Sequence, residues 1–177
     1  MLIWNCRGGT FCDVVNNLIH LHSPAIMIVG ETKVCGERAN RIAGRLNLDG
    51  AIFVNSIGLS GGLWILWDSD QVEISELASI EQEIHVIVNS ASKPPWLLSA
   101  IYANPQLAER LLLWENLESM ASLHSLPWVI IGDFNEVLIG EDKLGGNSVN
   151  IRRALRFQDC LNTCRMIDID FSRPHYT

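Results

Sequence analysis

The chain has 177 residues, 48% of them hydrophobic and 19% charged, with a mean hydropathy of +0.17 and a formal net charge of −7. This composition excludes a disordered polar segment, and no apolar run reaches the roughly 18 residues a membrane-spanning helix needs, so no membrane partner is expected. An acidic chain is repelled by nucleic acid on average, so any nucleic-acid activity has to come from a local site, a bridging cation or a partner domain. Leu2 to Cys6 is short and apolar and reads as a buried strand. Phe11, Val14, Val15, Leu18 and His22 recur at helical spacing, which predicts an amphipathic helix over 11–22. Pro24 follows, and Ala25 to Val29 has the length and β-branching of a buried strand. Ala51–Val54, Leu63–Trp67, Val72–Ile80, Ile84–Asn89 and Trp96–Tyr102 read as strands. Ser60-Gly61-Gly62, Asp68-Ser69-Asp70 and Lys93-Pro94-Pro95 separate most of them. Connections this short favour antiparallel neighbours. A helix follows Pro105, with Leu107, Leu111, Trp114, Leu117 and Ala121 expected on its buried face. Trp128 to Ile131 reads as a further buried strand. A last helix carries Ala154, Phe157, Leu161 and Cys164 on one face, and Met166 to Phe171 is the final expected strand.

The order predicts a single α/β (α+β) domain over 1–177, with a mixed, mainly antiparallel core and helices on its outer faces. Five cysteines (Cys6, Cys12, Cys35, Cys160 and Cys164) are odd in number and match no zinc spacing. They read as buried thiols of a reducing compartment. The first residues lack the basic-then-apolar pattern of a secretion signal. The six tryptophans lie inside strand or helix patterns and read as core, and His20, His22 and His85 read as surface or packing residues.

Four polar spots fall at the carboxyl ends of apolar strands, where α/β sheets concentrate ligand sites: Asn5, Glu31, Tyr102 with Asn104, and Asp133 with Asn135. Taken singly, each fits an ordinary turn or packing position. Together they suit phosphodiester chemistry. Glu31 can hold Mg²⁺, with Mn²⁺ as the alternative, and an Asn amide oxygen can support the same ion. Asp133 can orient or deprotonate a water, and a Tyr hydroxyl and an Asn amide can donate to phosphate oxygens.

The stretches Trp4-Asn5-Cys6-Arg7-Gly8, Gly30-Glu31-Thr32-Lys33, Ser60-Gly61-Gly62-Leu63-Trp64, Ile101-Tyr102-Ala103-Asn104-Pro105 and Gly132-Asp133-Phe134-Asn135-Glu136 occur in this order. Glu141 to Gly146 and Phe171 to Thr177 extend the pattern. Together they closely resemble the endonuclease domain of plant LINE-type (non-LTR) retrotransposons, within the endonuclease/exonuclease/phosphatase superfamily. The resemblance implies a four-layered sandwich of two mainly antiparallel β-sheets flanked by helices. It implies Asn5 and Glu31 as metal ligands and Tyr102 on the phosphate side. Asn104 stands in the same motif as a substrate-binding candidate. Asp133 is implied as the residue that orients the nucleophilic water, and Asn135 as the contact to the scissile phosphate. The implied activity is Mg²⁺-dependent nicking of DNA, by a domain fused in full-length relatives to a reverse transcriptase and working in the nucleus, although no targeting signal is visible. A monomer is expected, and the charge of −7 predicts weak DNA binding with little sequence preference.

Two departures qualify this expectation. Arg7 stands where some superfamily members carry an acidic or amide residue. The family's late Asp and its Ser-Asp-His motif are absent, since neither His124 nor His175 stands in such a motif. The domain is therefore expected to be incomplete at its C-terminus and its activity weak or lost, losing one transition-state group costing about 10²–10³ in rate. A non-catalytic remnant of a degenerate retroelement and a phosphatase of the same superfamily are the alternative readings.

Overall fold

The computed structural model describes residues 1–6, 11–34, 36–57, 60–136 and 150–169. The elements run β1 (Leu2–Asn5), α1 (Phe11–His22), β2 (Ile26–Gly30), α2 (Gly36–Ala43), β3 (Gly50–Ile57), β4 (Ser60–Trp67), β5 (Glu73–Ile80), β6 (Glu83–Ser90), β7 (Lys93–Tyr102), α3 (Leu107–Leu123), β8 (Trp128–Asp133) and α4 (Ile151–Thr163). Contacts divide them into two units. The first holds Met1–Asn104 and Leu126–Phe134, and the second holds Pro105–Ser125 and the described part of Asn135–Thr177.

The first unit contains two mixed four-stranded sheets, ordered β1-β2-β4-β3 and β5-β6-β7-β8. Short turns join the antiparallel pairs β3–β4, β5–β6 and β6–β7. The turn at Asp68-Ser69-Asp70, expected to join antiparallel neighbours, instead carries the chain from β4 in the first sheet to β5 in the second. The two parallel pairs, β1 with β2 and β7 with β8, are each joined by a single helix, α1 and α3, whereas β2 reaches its antiparallel partner β4 through α2 and β3. Antiparallel strands can share a two-residue turn, whereas a parallel return needs a longer crossover. The expected α/β class, with two mainly antiparallel sheets and flanking helices, is the class observed.

All five residues of β2 are buried, which is why it reads as an unbroken apolar run rather than an alternating one. Ile26 and Ile28 point to one face and join Ile65, Val86, Val88, Leu98 and Ala100 in the core between the sheets. Met27 and Val29 point to the other face, where Val15, Ile19, Ala39, Trp64 and Leu66 pack around them. The Trp64 ring anchors this second layer, with Phe11 and Phe53 each 5.1 Å away between centroids.

The second sheet also buries polar groups. Ser99 Oγ accepts from Trp128 Nε1 at 2.8 Å and lies 2.6 Å from His85 Nδ1, and His85 Nε2 lies 3.0 Å from Glu83 Oε2. These residue types are those of an acyl-transfer triad. Ser99, however, has no exposed surface and Glu83 and His85 are almost fully buried, so no substrate reaches them. Their effect is to tie β6, β7 and β8 together side by side.

In the second unit α3 and α4 pack on each other. Trp114 stacks on Phe157 at 4.6 Å, and the Cys160 thiol donates to the Trp114 carbonyl at 3.6 Å. Asn150 caps α4 by accepting from the Arg153 amide, which accounts for where that helix begins. Among the described residues no helix is long and apolar enough to cross a membrane.

Several expectations need correction. The α3 face is rotated: Arg110, Leu113, Trp114 and Leu117 are buried and Leu107 is 40% exposed. Three consecutive leucines, Leu111 to Leu113, leave the phase of the pattern open. On α4, Cys160 takes the buried place expected for Leu161. Met166–Ile169 forms no strand, and Asp170 and Phe171 lie outside the described residues. Helix α2 was not expected. Cys12 is only partly buried, and Cys35 lies outside the described residues.

One glycine fixes the β7–β8 pair. Gly132 has φ of +151°, and a Cβ there would overlap the Ile101 carbonyl. Gly132→Ala is expected to destabilise the protein by about 3 kcal/mol or more, from overpacking against backbone plus backbone strain. Thermal or urea unfolding checks this, with the alanine variant melting well below the parent.

Candidate active site

The register of the two parallel ladders decides where the polar strand ends fall. In the first sheet Asn5 lies opposite Gly30, and the Cys6 amide donates to the Gly30 carbonyl at 2.9 Å. In the second sheet Tyr102 lies opposite Asp133, and the Ala103 amide donates to the Asp133 carbonyl at 2.8 Å. Both ladders are therefore hydrogen-bonded up to the residues that carry the polar groups.

The side chains of Asn5, Glu31, Tyr102 and Asp133 then meet. Tyr102 donates its hydroxyl to Glu31 Oε1 at 2.8 Å, and Asn5 Nδ2 donates to Asp133 Oδ2 at 3.4 Å. Each bond joins one sheet to the other. The Asn5 amide lies directly over Gly30: a Cβ at that glycine would come within 2.5 Å of Asn5 Oδ1 and 3.4 Å of the Tyr102 ring. Gly30 is thus the floor of the site. Its importance as a close-approach position was not read from the sequence, although it stood in the same motif as Glu31.

Glu31 sits just past β2 with φ of +55°, and Lys33 has φ of +51°. Left-handed backbone is uncommon for residues other than glycine and costs of order 1–3 kcal/mol unless the surroundings impose it. Here the Thr32 and Lys33 amides donate to the Gly62 and Gly61 carbonyls at 3.3 and 3.1 Å, fastening the segment to β4. The Ser60-Gly61-Gly62 stretch was expected as a turn. Gly61 and Gly62 instead form the start of β4 and the anchor of the Glu31 segment.

Tyr102 is 8% exposed. Burial raises its pKa well above the usual phenol range, and the hydrogen bond and charge of Glu31 and the charge of Asp133 push it the same way. At neutral pH the hydroxyl keeps its proton and remains a donor. That two carboxylates act on one hydroxyl places both close to it.

Asn104 lies two residues beyond Tyr102. Its amide donates to Gln82 Oε1 at 2.6 Å, while the Gln82 carbonyl accepts from the Tyr102 amide at 2.9 Å. Gln82 is a support that the sequence reading missed. It follows β5 in a short turn with no local pattern to mark it. Asn135 belongs to the second unit, has φ of +46° and is followed by Glu136. Glu136 Oε2 accepts from Arg110 at 3.2 Å and from Arg153 at 3.0 Å, and Arg110 also donates to the Pro105 carbonyl at 2.7 Å. Burial lowers the Arg110 pKa, and the Glu136 charge opposes that shift. Glu136 is therefore tied to α3 and α4 within its own unit. Glu141–Gly146 and Phe171–Thr177, quoted in the sequence pattern, lie outside the described residues, as do Arg7, Gly8 and His175.

Among the described residues no three His, Cys, Asp or Glu side chains gather into a metal cage. Two carboxylates and an amide oxygen, all hard donors, nonetheless fit a cation such as Mg²⁺, which takes one or two protein carboxylates and keeps several waters.

No family model matches the chain, and no curated protein matches it. Solved structures do. The chain is similar to the AP endonuclease LMAP from Leishmania major (12% identity, 92% of this chain, 65% of that one, TM-score 0.72). It is similar to the endonuclease domain of TRAS1, a telomere-specific non-LTR retrotransposon (10% identity, 92% and 71% covered, TM-score 0.66). It is also similar to the 3′ phosphatase NExo from Neisseria bound to product DNA hairpin (15% identity, 92% and 70% covered, TM-score 0.62). At these identities the likeness shows the fold, the two-sheet α/β arrangement of AP endonuclease-like proteins. The chain spans 65% of the length of the Leishmania protein.

The sequence contains two tyrosines, Tyr102 and Tyr176. In a spectrophotometric alkaline titration Tyr102 is expected to ionise late, above the usual value near 10. Glu31→Gln removes the charge while keeping an amide oxygen that can accept, and should move that late phase part of the way down, burial and the Asp133 charge still holding it above the usual value. An unchanged late phase would show that Glu31 does not act on this hydroxyl.

Proposed function

We propose that the chain is a divalent-metal-dependent phosphodiesterase that nicks DNA, and that it derives from the endonuclease domain of a plant LINE-type retrotransposon. The observation that carries this reading is the pair of bonds between sheets, Tyr102 to Glu31 and Asn5 to Asp133, which gather two carboxylates, a protonated phenol and an amide at one place. The fold shared with AP endonuclease LMAP and the TRAS1 endonuclease domain supports it. The ordered motifs around Asn5, Glu31, Tyr102, Asp133 and Asn135 point the same way.

Glu31, with the Asn5 amide oxygen, would hold the cation. When bound, Mg²⁺ would draw charge from a phosphate oxygen and so stabilise the negative charge that builds there. Asp133 orients the attacking water through its carboxylate and accepts the proton that leaves it. Tyr102, kept protonated by its burial and by its carboxylate neighbours, donates to a non-bridging phosphate oxygen once substrate competes for its hydroxyl. The motif resemblance assigns the Asn135 amide to the scissile phosphate. Priming of reverse transcription needs a free 3′-hydroxyl, so the bond broken is P–O3′. The new bond joins the water oxygen to phosphorus, and the departing 3′ oxygen takes a proton from solvent. These 177 residues contain no Ser-Asp-His motif, so turnover by this chain alone is expected to be slow.

Conversion of supercoiled plasmid to the open circle in the presence of Mg²⁺ tests the proposal. Glu31→Gln and Asp133→Ala should each lower the nicking rate by about 100-fold or more. Nicking that persists unchanged in both variants would show that another site or a contaminant is responsible.

A further inference from the structure

We infer that the groove between α1 and α2 is a docking surface for the phosphate backbone of duplex DNA, with Arg38, Arg41 and Arg45 as its contacts. The inference rests on the proposed nuclease reading and extends it to how an acidic chain holds its substrate. The groove has a volume of about 480 Å³ and is lined by Phe11, Cys12, Asp13, Arg38, Arg41, Ile42 and Arg45. Three of the chain's thirteen Lys and Arg residues line this one feature, against a single carboxylate, Asp13.

All three arginines are exposed, and among the described residues none forms an ion pair. By contrast, Arg110, Arg153 and Arg156 are each bonded to a carboxylate. Arg38 and Arg41 are three apart on α2, Arg45 follows in the turn after it, and all three line the same groove. At 1.5 Å per residue Arg38 and Arg41 stand roughly 4.5 Å apart along the α2 axis, and Arg45 lies beyond the end of the helix. A single small anion would be held by cations converging on one point. A line of cations suits a line of charges, and duplex DNA offers one phosphate every ~3.4 Å along each strand.

The groove is also tied down at the turn that carries Arg45. Asn16 of α1 donates to the Arg45 carbonyl at 3.2 Å, and its Oδ1 accepts from the Asn47 amide at 3.2 Å, so α1 holds the turn that carries Arg45. Leu46 and Leu48 anchor the same turn in the core. Helix α1 begins six residues after Asn5, and Arg38 lies seven residues after Glu31. Both arms of the groove therefore follow the strand ends that deliver the candidate site. With a net charge of −7 on the chain, attraction for DNA has to be local, and among the described residues this groove gathers three exposed arginines.

The test is duplex binding by the full chain, without divalent metal, over a range of salt concentrations. Each phosphate contact contributes a slope of about −0.9 in log affinity against log salt. The triple variant Arg38→Gln, Arg41→Gln, Arg45→Gln should have a slope shallower by about 2–3. A charge-matched triple at other exposed positions, Lys93→Gln, Arg152→Gln, Arg165→Gln, should leave the slope as it was. Circular dichroism melts confirm that both variants fold. If the two triples flatten the slope equally, or the groove triple does not flatten it while the parent still nicks plasmid, this inference is overturned and the proposed function stands. A parent chain that neither binds duplex nor nicks plasmid overturns both.

Discussion

Everything at the candidate site depends on the register of two parallel strand pairs, one in each sheet. Asn5 opposite Gly30 and Tyr102 opposite Asp133 are ladder positions before they are chemical groups. Side chains alternate along a strand, so a one-residue slip in either ladder turns the polar group to the opposite face. Slipping β1 by one residue would present Trp4 or Cys6 in place of Asn5. The bonds that close the site join residues 71 and 128 positions apart in the chain, so sheet packing, not local sequence, brings them together. The apolar layer of Ile26, Ile28, Ile65, Val86, Val88, Leu98 and Ala100 holds the two sheets face to face and is in that sense part of the site.

The same constraint accounts for the local oddities. The Asn5 amide can lie across Gly30 only because no side chain projects there. Glu31 turns out of β2 in a left-handed conformation, and the carbonyls of Gly61 and Gly62 hold its neighbours in place. The result is an accumulation of negative charge around a buried phenol, an arrangement that favours a bound cation and keeps the Tyr102 proton on.

Much of this was legible in the sequence, and what was not has identifiable causes. Strands with β-branched runs, such as Ile26–Gly30 and Ile84–Asn89, stood out because burial on both faces removes polar alternation. The polar residues at their ends were legible by type and by order. Their meeting was not, because it depends on pairings between distant segments. Helix α2 escaped because it is short and half of Gly36–Ala43 is charged or amide residues, with Ala39 its one buried position. The face of α3 was misjudged because Leu111, Leu112 and Leu113 fit more than one phase, and its buried Arg110 has the look of a surface residue. Gln82 carries no local pattern at all, since it acts through a turn against the end of β7.

We propose that Glu31 holds one hydrated cation between the two sheets, with Asp133 bound to its water. A ligand that binds only the folded state raises its stability as its concentration rises above the dissociation constant. Thermal unfolding of the purified chain across a titration of Mg²⁺ and of Mn²⁺ therefore tests the claim directly. The account predicts a melting temperature that climbs with metal concentration, with the climb abolished by Glu31→Gln and weakened by Asp133→Asn. A melting temperature indifferent to both metals, or a climb that survives loss of the Glu31 charge, would contradict it.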